Sequence, residues 1–311
     1  MKSPRLQYVM ITAARNEAAF IELTIQSMLK QTARPFRWVI VSDGSTDGTD
    51  EIVRKHAAQH EWIHLLRMPE RTERHFGGKA VCFNAGYEQI KGLSLDIIGN
   101  LDADLSFEGD VMAFLLEKFA NNPKLGVAGV PFTEGNGTYD FRFSSVEHVS
   151  GACQMFRREC FEAIGGYVPI KGGGIDLVAV VTARMKGWET RSFPERACFH
   201  HRKMGTGMNR GFKLPFKWGQ SDYRLGGHPV WELFRCLYQM KNKPFILGGL
   251  ICLTGYYYAL MAGHQKSVTD EFARFRGQEQ MNRLRSFWRR TMSFGKRRKQ
   301  NAAPCSSSKP A

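Results

Sequence analysis

The sequence contains no CxxC pair. Its seven cysteines, Cys82, Cys153, Cys160, Cys198, Cys236, Cys252 and Cys305, are odd in number and scattered. That distribution argues against a disulfide framework and against zinc-site spacing, and fits small reduced core residues. No GxGxxG follows the first apolar run, so the dinucleotide-binding fingerprint is excluded. The opening stretch "MKSPRLQYVMITAARNE" lacks an apolar run of signal-peptide length, and the domain that follows it is expected to stay in the cytoplasm. No internal repeat is evident. Acidic residues are in deficit, with 29 Asp and Glu against 44 Lys and Arg, a formal net charge of +15. An excess of that size points to an anionic partner: nucleic acid, an anionic membrane face or a phosphorylated small molecule.

What is present is a chain of 311 residues, 43% hydrophobic and 23% charged, enough for one large domain or two modest ones. From Leu6 to about Leu125, short β-rich apolar runs alternate with helical patterns. "YVMIT" precedes "EAAFIELTIQSMLKQ", and "WVIVSDGS" precedes "DGTDEIVRKHAAQH", where a Ser or Asp is the expected helix cap. "IHLLR" precedes "GKAVCFNAGYEQIKG", and "LDIIGNLDAD" precedes "GDVMAFLLEKFANN". Four strand-then-helix units predict a mostly parallel sheet flanked by helices, with ligands at the carboxyl ends of the strands. From Gly126 to about Arg202 the pattern loosens, which predicts added antiparallel strands and a helix.

Four stretches carry chemistry. In "VSDGSTDGT", Asp43 leaves a strand into a Gly/Ser/Thr turn; it is either a loop acid beside a helix cap or an acceptor for a nucleotide's base or ribose. In "NLDADLSF", Asp102 and Asp104 project to the same side if the segment is a strand. Two close carboxylates repel unless a cation or donors compensate them, and carboxylate oxygens suit Mg2+ or Mn2+ bridging to a phosphate. In "GGGIDLVAV", Asp176 opens a helix, either as an acid favoured by the helix dipole or as a general base for an acceptor hydroxyl. In "CFHHRKMGTG", adjacent His200 and His201 point to opposite faces of a strand, so one of them at most serves a given site.

Taken in order, "AARNEAAF", "VSDGSTDGT", "GGKAVCFNAGY", "NLDADLSF", "SGACQMFRRECFEAIGGY", "GGGIDLVAV" and "HHRKMG" resemble the family 2 glycosyltransferases of the GT-A fold, over about residues 6–225. The resemblance implies an α/β GT-A domain using a nucleotide-sugar donor and Mg2+ or Mn2+. It places Ala13, Arg15, Glu17 and Asp43 around the nucleotide and Lys79 near the base or the phosphates. It makes Asp102 and Asp104 the DxD pair, with Asp104 on the metal and Asp102 toward the ribose or the metal's outer shell. It also brings His201 to the metal or diphosphate and makes Asp176 the catalytic base. The family often carries an acid before that base; here Ile175 stands there, leaving Asp176 as the acid of its loop. The implied reaction is a single displacement with inversion at the anomeric carbon. Processive synthases of the family carry QxxRW, whereas "NRGFKLPFKWGQSDYRLGG" offers "FKWGQ", so transfer of one sugar is expected before processive polymerisation.

The final third is expected to meet a membrane. "FILGGLICLTGYYYALMAG", residues 245–263, has no charge and as a helix would reach roughly 28 Å. Basic residues flank it on both sides, against a single span under the positive-inside bias, so an in-plane or re-entrant insertion is expected. Phe272, Phe275, Met281, Leu284, Trp288 and Met292 then recur at helical spacing among arginines, the pattern of a basic amphipathic helix on anionic headgroups. The expected organisation is a catalytic domain at 1–225, a membrane-associated segment at 226–265, and a basic helix with a disordered tail at 266–311. The partners expected are a nucleotide-sugar, a saccharide or lipid-linked acceptor and an anionic membrane surface, at the cytoplasmic face of the inner membrane, with no nucleic acid. Three rival readings stand beside this one: a processive synthase, a sugar-phosphate nucleotidyltransferase, which would need an early glycine-rich loop, and a basic nucleic-acid-binding protein using the tail.

Overall fold

The computed structural model describes residues 6–70, 77–134, 145–170, 173–202, 213–240 and 246–300, the last eleven of these by backbone alone. The chain divides into two compact units, residues 1–209 and 210–311. The expected disordered tail, 301–311, and Met292 lie outside the described residues or side chains.

The first unit begins with three strand–helix pairs: β1 (Tyr8–Ala14), α1 (Ile21–Leu29), β2 (Arg37–Asp43), α2 (Thr49–Ala57), β3 (Ile63–Met68) and α3 (Gly78–Glu88). They are followed by β4 (Ile97–Leu101), β5 (Leu105–Phe107), α4 (Val111–Asn121), β6 (Leu125–Gly129) and β7 (Phe132–Thr133). β8 (Cys153–Arg157), α5 (Arg158–Ala163), α6 (Ile175–Met185), β9 (Glu189–Ser192) and β10 (Cys198–His200) complete the unit. β1, β4 and β6 are rows of apolar or small residues buried along almost their whole length, because helices cover both faces of the sheet.

The main sheet has the order β3-β2-β1-β4-β8-β6-β9. β2 and β4 both run parallel to β1, while β8 is antiparallel to β4 and β6. The predicted shift from parallel to antiparallel pairing after Gly126 is therefore present. Because the chain leaves β1 on one side and returns to its other side at β4, a switch point opens between their carboxyl ends, where a ligand crevice forms in such sheets. A small sheet, β5-β10-β7, stands beyond that point. The cap at α2 differs from the prediction. Gly48 holds the capping position at φ 92° with no side-chain bond, while Asp47 accepts from the backbone N–H of Thr49 at 3.1 Å.

The second unit is helical: α7 (Lys213–Arg224), α8 (Pro229–Gln239), α9 (Leu247–Met261) and α10 (Asp270–Gln300). α7 and α9 touch through backbone. A Cβ on Gly219 would lie 1.9 Å from the Cys252 carbonyl oxygen, and one on Gly255 would lie 2.1 Å from that of Phe216. Only glycine permits this approach. Four charged side chains are set into the unit. Arg235 donates to Glu232 at 2.6 and 2.7 Å, and Arg276 donates to Asp222 at 2.6 Å and to the Leu225 carbonyl at 2.9 Å.

The apolar segment departs from the length expected of it. α9 has 15 residues, roughly 22 Å, and no helix among the described residues is long and apolar enough to cross a membrane. Its Gly249, Cys252, Gly255, Tyr256 and Ala259 are buried in the unit instead. α10 corrects a second expectation. Phe272 and Leu284 are buried, in line with Arg276 and Gln280, so the apolar face of its first half packs on protein. Phe287 and Trp288 are exposed.

Candidate active site

Three loops meet at the carboxyl ends of β1, β2 and β4. The loop after β1 is tied to the loop after β2. Asn16 donates its backbone N–H to the Ser45 hydroxyl at 3.1 Å and accepts from the N–H of Thr46 at 2.9 Å. Glu17 and Ala18 donate backbone N–H groups to Thr49 Oγ1 and to Asp47 at 2.8 and 3.0 Å. The Ser, Thr and Asp residues of "SDGSTDGT" thus serve mainly to splice the two loops. Within this frame Ala13, the penultimate residue of β1, lies opposite Val41, and Arg15 pairs with Asp43 at 3.5 Å, Asp43 being 7% exposed.

Asp102 and Asp104 lie in the turn that carries the chain from β4 to β5, not on a strand as the same-side argument assumed. The turn still gathers them. One ligand atom from each of Asp102, Asp104 and His200 lies within 4.8 Å of the others. His200 Nε2 is 3.4 Å from Asp104 Oδ1, and its Nδ1 is 3.5 Å from Glu134. His201 faces elsewhere, with Nε2 3.0 Å from the Ser106 hydroxyl and its ring stacked on Phe20. Strand alternation explains the difference, because Cys198 and His200 share the inward side of β10. With Cys198 read as a core residue, the same parity was available from the sequence.

Lys79, at the start of α3, is ion-paired with Asp102 and donates to the Gly151 carbonyl at 2.8 Å. Burial pushes the Asp102 carboxyl above its usual range while Lys79 pulls it back. Arg202 bridges Glu17 and Asp104, bonded to the first and 3.8 Å from the second. Burial pushes Glu17 up to about 7; Arg202 opposes the rise, and the carboxylates of Asp104, Asp102 and Asp47 add to it. Arg202 had no separate role in the sequence reading. A cation just beyond the histidine pair was the only signal of it.

Asp176 stands at the second position of α6, where the helix amino end favours a carboxylate. Its Oδ2 accepts the Gly151 backbone N–H at 3.1 Å. The Gly151 carbonyl accepts from Lys79 and from the buried Asn100 amide. One residue, Gly151, thus connects the Asp102–Lys79 pair to Asp176 through its N–H and its carbonyl, although 74 residues separate the acids in sequence. A Cβ on Gly151 would sit 3.0 Å from Asp176 Cβ and would press on that side chain.

Residues 9–148 match the family model described as glycosyl transferase family 2. Over that stretch, a little under half of its length, the chain is similar to the family. It is 30% identical over 258 residues to the poly-β-1,6-N-acetyl-D-glucosamine synthase of Staphylococcus aureus (strain COL), covering 76% of this chain and 58% of that protein. The Staphylococcus epidermidis enzyme of the same name is 29% identical over 141 residues. The chain spans about 58% of the length of the S. aureus relatives it matches. Among solved structures, the mannosyltransferase PcManGT from Pyrobaculum calidifontis, in complex with GDP-Man and Mn2+, superposes with a TM-score of 0.56 at 20% identity, covering 87% of this chain and 78% of that one. S. aureus TarS 1-349 in complex with UDP-GlcNAc gives 0.53 at 12% identity, covering 83% and 73%. At these identities the likeness establishes the fold. The expected α/β architecture with a mostly parallel sheet is that fold.

Proposed function

We propose that this protein is an inverting glycosyltransferase that moves one sugar from a nucleotide-diphosphate sugar to a hydroxyl acceptor, a lipid-linked saccharide at the cytoplasmic face of the inner membrane. The observation that supports the proposal is Gly151, whose N–H is bonded to Asp176 and whose carbonyl is bonded to Lys79, the partner of Asp102; a base at Asp176 would then stand next to an anion-handling cluster. Arg15, Glu17, Asp43 and Ala13 line the end of the sheet where the nucleotide would lie.

Asp102, Asp104 and His200 offer two hard oxygens and one imidazole nitrogen, a donor set that fits Mg2+ or Mn2+. His200 takes the place that the family resemblance gave to His201. A divalent ion held there would neutralise charge on the departing nucleoside diphosphate. Lys79 and Arg202 add fixed positive charge beside the same carboxylates, stabilising charge as it develops. Asp176 takes the proton of the acceptor hydroxyl, whose oxygen attacks the anomeric carbon on the face opposite the diphosphate, so configuration inverts. No covalent sugar–enzyme bond is required.

The membrane part of the proposal rests on charge. Residues 210–311 hold 19 Lys and Arg against 5 Asp and Glu, whereas residues 1–209 hold 25 against 24. Nearly all of the net charge belongs to the helical unit, which suits an anionic surface.

A panel of nucleotide-sugars with Mn2+ or Mg2+, monitored for nucleoside diphosphate release and for the anomer formed, tests the reading. Asp104→Ala and Asp176→Ala should both abolish transfer; normal turnover by Asp176→Ala would remove the base assignment. A second reading, processive synthesis, draws support from the names of the staphylococcal relatives. Product length on a short acceptor separates the two, one added sugar for the proposal and a ladder for the alternative.

A further inference from the structure

The helical unit contains a groove of about 1030 Å3 between the amino end of α8, the carboxyl half of α9 and the first half of α10. One wall is a row of donors. Arg274, Gln278, Asn282 and Arg285 lie four, four and three residues apart, on one side of α10. Lys266 and His228 line the groove from other segments. The one acid among its described lining residues, Asp270, is 3.6 Å from Lys266. Tyr256, Leu260 and Met281 supply apolar surface between these donors. Donors along one side, with apolar surface beside them, match a phosphate that carries a hydrocarbon.

The groove opens beside a surface of the same kind. On the side of α9 away from its buried residues, Leu247, Leu250, Tyr258 and Met261 are exposed, Met261 by 80%. On α8, Val230, Leu233 and Leu237 are exposed along one side as well. Leu260 lines the groove and its chain neighbour Met261 belongs to the outward stripe. With 15 residues, α9 is shorter than the roughly 20 a bilayer crossing takes. An exposed apolar stripe on such a helix suits lying along the interface, with nearby arginines at headgroup level.

We propose that this groove binds the phosphate of an anionic lipid headgroup when the α8 and α9 stripes rest on the bilayer. This deepens the membrane reading above and rests on it. The full-length protein is to be tested for co-flotation with phosphatidylcholine vesicles made with and without phosphatidylglycerol. Three forms are compared: wild type, Arg274→Gln/Arg285→Gln, and Lys213→Gln/Lys217→Gln. The last removes the same charge from exposed positions of α7 outside the groove.

Wild type should bind the anionic vesicles, and the groove variant should bind about 30-fold more weakly, the weight of two arginines at a charged surface. The α7 variant should lose markedly less, and donor hydrolysis should be unchanged in both. Equal losses in the two variants would overturn the groove site, leaving bulk charge as the cause and the membrane reading intact. Wild type that ignores anionic vesicles would overturn both. Arginine-dependent binding of inorganic phosphate or of RNA, without vesicle binding, would overturn the lipid as its source.

Discussion

Gly151 donates its backbone N–H to Oδ2 of Asp176 at 3.1 Å, with the Asp176 Cβ at 3.0 Å from where a Gly151 side chain would begin. Gly151→Ala therefore moves either the carboxylate or the turn that leads into β8. A misplacement of 1 Å costs on the order of 100-fold in rate at a positioned catalytic group, so the few tenths of an ångström needed here cost roughly 10-fold. We expect kcat to fall by about that factor while KM for the donor changes little, because the shift falls on the acceptor side. Initial rates against donor concentration check this, and a purely structural lesion would lower the melting temperature and raise KM together.

The two adjacent histidines separate the metal reading from mere proximity. His200→Asn should raise the Mn2+ or Mg2+ concentration for half-maximal rate by roughly 10–100-fold, the range seen when metal-site residues are altered. His201→Asn loses its contacts to Ser106, Phe20 and Phe199, and should leave that concentration within about threefold of wild type by the same scale. Metal titration after chelation measures both. A larger effect at His201 would restore the assignment made from the family resemblance.

Much of the site was legible because it is local. Asp43, the Asp102/Asp104 pair and Asp176 each follow a strand or open a helix, and that grammar is written in neighbouring residues. His200 against His201 turned on strand parity, which was legible only through Cys198 read as a core residue two positions earlier. Arg202 and Gly151 act across 185 and 25 residues, and neither carries a local signature of its partner. α9 was only half legible. An uncharged run does not say which of its sides packs on a neighbouring helix, and the side buried against α7 was decided by Gly219, far from the run itself.

Glu17 gives a pH prediction with a definite sign. Its folded carboxyl sits near 7 against an ordinary 4.5, raised chiefly by burial. Between these values the unfolded chain has released the proton and the folded chain still holds it. Stability from this group is full below 4.5 and is lost as pH rises toward 7. Glu17→Gln cannot titrate, so its unfolding free energy should fall less steeply across that window than wild type. Urea titrations at pH 5 and 7.5 compare the slopes; parallel curves for the two proteins would reject the assignment.

In the helical unit, Arg276 is 8% exposed and holds α10 to the end of α7 through Asp222 and the Leu225 carbonyl. Arg276→Met preserves much of the stem's volume but leaves the Asp222 carboxylate without its closest cation, and the other oxygen of that carboxylate is already buried without a hydrogen bond. Removing one partner of such a pair costs about 3–5 kcal/mol, because the remaining charge stays desolvated. Replacing both, as Asp222→Asn/Arg276→Met, takes away the stranded charge and should recover more than half of that loss. The measurement is urea unfolding followed by the fluorescence of a single tryptophan kept at Trp231 in α8. If the double variant is no more stable than Arg276→Met, the cost comes from lost packing of the arginine stem, and the buried pair holds the helices in place only as filler.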